Sequence, residues 1–208
     1  MRPSNAGTEA PLGSPDPVFW VERGEEMSVA RAKLTAEEFW ALHLERAELV
    51  NGEVVELVPA LPQHGQIAGA LVTALNLWLK QSKAGLAGTD GGFILGRNPD
   101  RVRGPDVWFL RKENIPAEFP AGFWEVAPDL VAEIVSTSDT AEVIKEKLTD
   151  YFAAGTQVVW LVYPRFKEVE VHTSSRTVRI LQAEDVLQEP ELLPGFTLKI
   201  AKLFEGPV

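Results

Sequence analysis

Two apolar runs separated by one amphipathic stretch restrict this chain more than any other feature. Residues 129–135 (Asp-Leu-Val-Ala-Glu-Ile-Val) and 157–163 (Gln-Val-Val-Trp-Leu-Val-Tyr) are nearly continuous in apolar character, as strands covered on both faces are. Between them Ile144, Leu148, Tyr151 and Phe152 recur on one helical face of residues 141–154, and Gly155 supplies the stop. Strand, helix and strand at this spacing predict a right-handed parallel crossover, and with it a sheet that carries helices on its faces.

Upstream, Ile67, Leu71, Ala74, Leu75 and Trp78 predict a long amphipathic helix over about residues 64–83. Strands are then expected at 92–96 and 105–110, so the core order reads helix, three strands, helix, strand. Thr35-Ala36-Glu37-Glu38 matches a capping box and opens a short helix to about His43. Asn51-Gly52, between Glu48-Leu49-Val50 and the apolar-rich run 53–58, signals a type I′ hairpin. Strands at 168–173 and 177–181 form a C-terminal meander. Residues 1–27, with Pro3, Pro11, Pro15 and Pro17 and no periodicity, read as a mobile tail without chemistry. A chain of 208 residues suffices for one substantial core rather than two. The expectation is one α/β domain over 28–208 with a central mixed sheet, an N-terminal helix-hairpin extension and a C-terminal β-meander.

A formal net charge of -10 argues against coating nucleic acid by bulk electrostatics, which needs clustered cations. Any such contact must be local. A basic island of Lys80, Lys83, Arg97, Arg101 and Arg103, interrupted by Asp90 and Asp100, leads into Asp106; its simplest reading is a solvated loop and helix end. The absence of cysteine removes disulfides, thiolate zinc sites and a thiol nucleophile. His43, His64 and His172 show no ligand spacing. No apolar stretch approaches the roughly 20 residues of a membrane span, and no secretion signal is recognisable at the N-terminus, so a cytoplasmic protein is expected.

The chemistry lies in acids set within apolar strands. Glu133 falls mid-strand where both faces read as buried, and Asp106 follows Pro105 at a strand start. Two carboxylates ~4 Å apart at an effective dielectric of ~20 would repel by on the order of 4 kcal/mol, so a cation or a proton is expected between them. On the following helix Lys147 and Lys145 border the apolar stripe about equally, and periodicity does not choose between them.

These residues resemble the Uma-type restriction endonucleases of the PD-(D/E)xK nuclease superfamily. The resemblance runs from about Leu34 and rests on Glu48-Leu49-Val50-Asn51-Gly52-Glu53, His64, Pro105-Asp106, Glu133-Ile134-Val135-Ser136-Thr137-Ser138, Lys147-Leu148-Thr149-Asp150-Tyr151, Ala154-Gly155 and Leu193-Pro194-Gly195-Phe196. It implies a restriction endonuclease-like fold, whose core order is the one reached above. It also implies that Asp106 and Glu133 bind Mg2+ or Mn2+, with the Ile134 carbonyl as a further ligand. The superfamily's usual lysine position is here Val135, and the family spacing supplies Lys147 from the next helix instead. Glu48 or Glu53 is implied as an additional acid and His64 as a site residue, with Tyr151 steadying Lys147.

The implied reaction is endonucleolytic phosphodiester hydrolysis, on DNA in preference to RNA, by a homodimer or higher oligomer. Family members often carry an acid where Val143 stands, with Glu142 beside it here. That departure and the acidic net charge keep open a non-catalytic binding or regulatory module on the same scaffold. Hydrolysis of another phosphoester is a third reading.

Overall fold

The computed structural model describes residues 33–205 and, before them, the backbone of two strands, β1 (Val18–Val21) and β2 (Ser28–Arg31), which pair antiparallel. The tail expected over 1–27 lies outside the described residues except at β1, where the sequence forms a strand. The chain divides into two compact units, Met1–Lys33 and Leu34–Val208, and the second holds everything that follows.

Helix α1 (Ala36–Ala41) opens with the expected capping box: Glu38 N–H donates to Thr35 Oγ1 and Thr35 N–H to Glu38 Oε2. It stops short of His43, whose φ of 51° is left-handed. Strands β3 (Ala47–Val50) and β4 (Glu53–Glu56) follow as a hairpin, with φ of 53° at Asn51 and 79° at Gly52, the two positive values a type I′ turn demands.

Helix α2 (Pro62–Ser82) buries Ile67, Leu71, Leu75 and Leu79, one residue per turn. The remaining elements in chain order are β5 (Gly85–Thr89), β6 (Phe93–Gly96), β7 (Arg101–Arg103), β8 (Val107–Arg111) and β9 (Leu130–Ile134). Helix α3 (Ala141–Ala154) and strands β10 (Val158–Tyr163), β11 (Glu168–Ser174) and β12 (Thr177–Leu181) come next. Two short strands, β13 (Val186–Leu187) and β14 (Leu198–Lys199), pair with each other near the end.

The principal sheet has the order β12-β11-β10-β9-β8-β5, with β9 and β10 parallel and every other neighbour antiparallel. It is therefore the mixed sheet expected. Alternation along its strands divides the core. Phe109, Leu130, Ala132 and Trp160 pack with the buried stripe of α2, whereas Val131, Val159 and Leu161 pack with Leu148 and Tyr151 of α3. Glu133 has the parity of Val131 and so points to the α3 face.

One strand assignment requires correction. The core order is helix, three strands, helix, strand, but its first strand is β5, and the expected strand at 92–96 belongs elsewhere. As β6 it joins a second, four-stranded sheet of order β4-β3-β7-β6. Ala36 and Phe39 of α1 cover that sheet together with Leu49, Ile94 and Val102.

Candidate active site

Strands β8 and β9 run antiparallel with Val107 opposite Ala132. One step further along the register, Asp106 faces Glu133. The two acids are thus neighbours because adjacent strands bring them together, and α3 passes over the pair.

Both oxygens of the buried Glu133 meet α3. Lys147 Nζ donates to Oε2 at 2.7 Å and the Tyr151 hydroxyl donates to Oε1 at 2.5 Å. Lys147 and Tyr151 stand one turn apart, on the same helical face. Lys145 is exposed, and only its carbonyl is engaged, by the Thr149 hydroxyl. Where periodicity left both lysines open, the packing of α3 on β9 brings Lys147 to Glu133 and leaves Lys145 exposed.

Asp106 is held from two sides. His64 Nε2, in the first turns of α2, lies 2.8 Å from Oδ1, and the Ile134 N–H donates to Oδ2 at 2.7 Å. In an extended strand the N–H and C=O of one residue point to the same edge, so the Ile134 carbonyl also turns toward β8.

Glu48 enters from the other sheet. Its Oε1 accepts the Gly104 N–H at 3.0 Å and lies 3.8 Å from Lys147 Nζ, and its Oε2 accepts from Arg103 Nη1 at 2.9 Å. Arg103 is itself buried and donates through Nε and Nη2 to Asp150 Oδ2, at 2.9 and 2.6 Å. Arg101 Nε lies 3.3 Å from the other Asp150 oxygen. Glu53 stays out of the cluster, exposed beside the hairpin turn opposite Val50.

Burial pushes the Glu133 carboxyl up to about 7, and Asp106 and Glu48 add to the rise while Lys147 opposes it. Burial would lower the Lys147 ammonium, but Glu133 and Glu48 reverse this and hold it protonated. Tyr151 is raised by burial and then by the Glu133 charge, so its hydroxyl remains a donor. The hydrogen bond to Asp106 raises His64 against the effect of its own burial.

Of the basic island, Lys80 and Lys83 are exposed at the end of α2, as a solvated patch would be, but its arginines are paired. Arg97 pairs with Glu37, Asp100 and Glu125, Arg101 and Arg103 are taken up by Asp150, and Arg103 also by Glu48. Arg103 and Asp150 were not among the expected site residues. The signal available was spacing, since Asp150 lies three residues after Lys147 and shares its helical face. Val143 and Glu142 stand exposed in the first turn of α3, where the Val143 N–H donates to the Thr140 hydroxyl.

Among the described residues no group of three or more His, Asp or Glu side chains is disposed to hold a metal ion. The oxygens that converge are the carboxylates of Asp106 and Glu133 and the Ile134 carbonyl. An all-oxygen set with few protein ligands suits Mg2+, which keeps several of its waters. By donor chemistry the residues fit such an ion.

The sequence model of the Uma2 family, described as "Putative restriction endonuclease", matches residues 36–201. The chain belongs to the Uma2 family. The match spans α1 through the end of β14 and so contains every residue of the cluster. A solved structure described as a putative nuclease belonging to DUF820 from Anabaena variabilis is similar to this Uma2 chain, with a TM-score of 0.71 and 22% identity. The similarity covers 82% of this chain and 97% of that one, and at this identity it establishes the shared fold. No curated protein matches the sequence. Family and fold together make this a restriction-endonuclease-like nuclease scaffold. Among the described residues no helix is long and apolar enough to cross a membrane.

Proposed function

We propose that this Uma2 chain is an endonuclease that hydrolyses phosphodiester bonds of nucleic acid, DNA in the first instance, with Mg2+ or Mn2+. The observation that carries the reading is the pairing of Asp106 with Glu133 across β8 and β9, with Lys147 donating to Glu133 at 2.7 Å. The description of the family supports the same reaction class.

Asp106 and Glu133 would hold the cation by carboxylate oxygens, with the Ile134 carbonyl beside them. When bound, the cation lowers the pKa of a coordinated water and offsets charge on a non-bridging phosphate oxygen. His64 orients Asp106 through Oδ1, and Tyr151 fixes the Glu133 oxygen that Lys147 leaves free. The Lys147 ammonium turns from Glu133 toward the attacking water or the phosphate, where it stabilises developing negative charge. Glu48 Oε1 lies 3.8 Å from that ammonium and adds to the negative field that keeps it protonated.

The test is cleavage of single- and double-stranded DNA and RNA with either ion, comparing the intact protein with Asp106→Ala, Glu133→Ala and Lys147→Ala. Each substitution should reduce cleavage at least ~100-fold, the scale of removing one preorganised charge from an active site. Cleavage that survives all three overturns the assignment. Sedimentation of the same samples, with and without DNA, tests the dimer expected for cutting both strands.

A second reading, a non-catalytic binding or regulatory module, is favoured by one observation: all four carboxylate oxygens of Asp106 and Glu133 already meet protein donors or His64. Calorimetric titration separates the two. Mg2+ binding that Asp106→Ala abolishes favours the nuclease, and no binding favours the module.

A further inference from the structure

Beside the acidic cluster lies a cleft of about 720 Å³ that phosphodiester chemistry alone does not use. Its floor includes Glu48 and Gly104, so it shares a wall with the candidate active site. Its opposite side is aromatic. Trp40 of α1 is 47% exposed, an unusual state for the largest apolar side chain, and Phe123 meets it edge to face at 5.2 Å. Deeper in, Trp108 and Trp124 pack 5.9 Å apart. The Trp108 indole N–H is buried without an acceptor among the described residues.

Two facts select the occupant. First, Trp40 and Phe123 are already fixed against each other, while Trp40 keeps an open surface on which a planar ring can lie. Stacking of bases on aromatic side chains is how unpaired nucleic acid is gripped. Second, polar groups stand among the apolar ones: Glu45, Arg46 and Asp90 line the cleft beside Leu44 and Leu57, and no side-chain hydrogen bond engages the three among the described residues. Carboxylates and a guanidinium are the groups that read the donor and acceptor edge of a base. The open volume is within the range of small-ligand pockets.

We propose that this cleft is a nucleobase pocket, holding one unstacked base of the substrate strand against Trp40 while the adjoining phosphate lies at Asp106 and Glu133. The proposal rests on the nuclease reading for the position of the phosphate, but not for the stacking itself. It makes a single-stranded or locally opened segment the preferred substrate, because a base within a duplex cannot leave its stack without cost.

The test measures binding of a labelled single-stranded oligonucleotide in EDTA, where no cleavage intervenes, to the intact protein and to Trp40→Ala, Trp40→Phe and Phe123→Ala. A second oligonucleotide carries abasic residues in place of bases. Intact protein should bind the base-bearing strand more tightly than the abasic one. Trp40→Ala should weaken the former by about 5- to 150-fold, the loss of one stacking contact, and leave the latter unchanged. Trp40→Phe should restore most of the difference. Equal affinity for both strands, indifference to Trp40→Ala, or no binding of either overturns the pocket. If binding depends on Trp40 but no cleavage is found with Mg2+ or Mn2+, the pocket stands and the nuclease reading falls. If cleavage depends on Asp106 and Glu133 while Trp40→Ala binds normally, the reverse holds.

Discussion

Lys147 donates to Glu133 across the interface of α3 and β9 at 2.7 Å, and the helix has set its neighbour Lys145 outside that interface. Both lysines border the same apolar stripe, so their substitution isolates the effect of position. Lys147→Ala removes the cation that opposes the upward shift of Glu133, so the buried carboxyl is driven further toward its neutral form beside Asp106 and Glu48, and the lost donor costs about 1–3 kcal/mol. Lys145→Ala should fall within about 0.5 kcal/mol of the intact protein. Urea denaturation at pH 8 checks both, and nuclease assays should show loss of activity for Lys147→Ala alone.

Arg103 is the side chain that ties the four-stranded sheet to α3. It stands between Glu48 and Asp150, and all three are buried. Arg103→Met would leave Asp150 only the longer contact to Arg101 and Glu48 only the Gly104 N–H and the more distant Lys147, and a loss of about 3 kcal/mol is expected. Arg103→Lys keeps the charge but cannot donate to two carboxylates through a planar fork, so it should recover only part of that stability. Denaturation midpoints for the two variants decide the point; equal stability of both with the intact protein would remove Arg103 from this role.

These two residues also mark how far the sequence is legible. Glu133 can be picked out because a strand apolar on both faces leaves an acid no wet side, whereas Asp106 at its strand start reads equally well as a turn cap and gains weight only beside Glu133. Arg103 could not, because its partners Glu48 and Asp150 are 55 and 47 residues away, and an arginine amid other cations reads as solvated until those partners are in place. Glu48 and Glu53 share one hairpin and one composition, and only the sheet that forms on β3 buries the first and leaves the second exposed. Only family spacing selects Lys147 over Lys145, because both border the apolar stripe of the helix about equally.

Asp100 ties α1 to the second sheet. Its Oδ2 accepts from the Ala36 N–H and from Arg97 Nη1, both at 2.8 Å, and Oδ1 accepts from Asn98 N–H at 3.3 Å. Burial alone would raise its carboxyl, but these donors together hold it below the ordinary value. A depressed folded pKa gives stability that is present above the unfolded value of ~3.9 and is lost as pH falls through the folded one. Asp100→Asn should therefore cost roughly 2 kcal/mol at pH 7, the scale of hydrogen bonds to a charged group. The difference from the intact protein should shrink as the pH falls below about 4. Thermal melts from pH 7 to pH 2.5 read this directly, and a gap that widens toward acid would contradict it.

Strand β5 escaped the sequence pattern because Gly-Leu-Ala-Gly-Thr has two glycines, no aromatic residue and Thr89 as its one β-branched residue. Its glycines have a steric cause. A Cβ at Gly85 would lie 2.0 Å from the Leu110 carbonyl oxygen and 2.8 Å from the Phe109 ring, and one at Gly88 would lie 2.5 Å from Trp108. The edge strand can pair with β8 only if it carries no side chain where the large residues of β8 cross it. Gly85→Ala should therefore destabilise the protein, even though alanine is otherwise the less costly residue within a strand. Its obstacle is backbone, which cannot swing aside, so a loss of about 1–3 kcal/mol is expected from overpacking. At Gly88 the obstacle is the Trp108 ring, approached less closely at 2.5 Å but packed against Phe93 and Trp124, and the loss from Gly88→Ala should be no greater than that from Gly85→Ala. Denaturation of the two variants in parallel orders them, and a Gly85→Ala protein as stable as the parent would show that β5 can move away from β8 without cost.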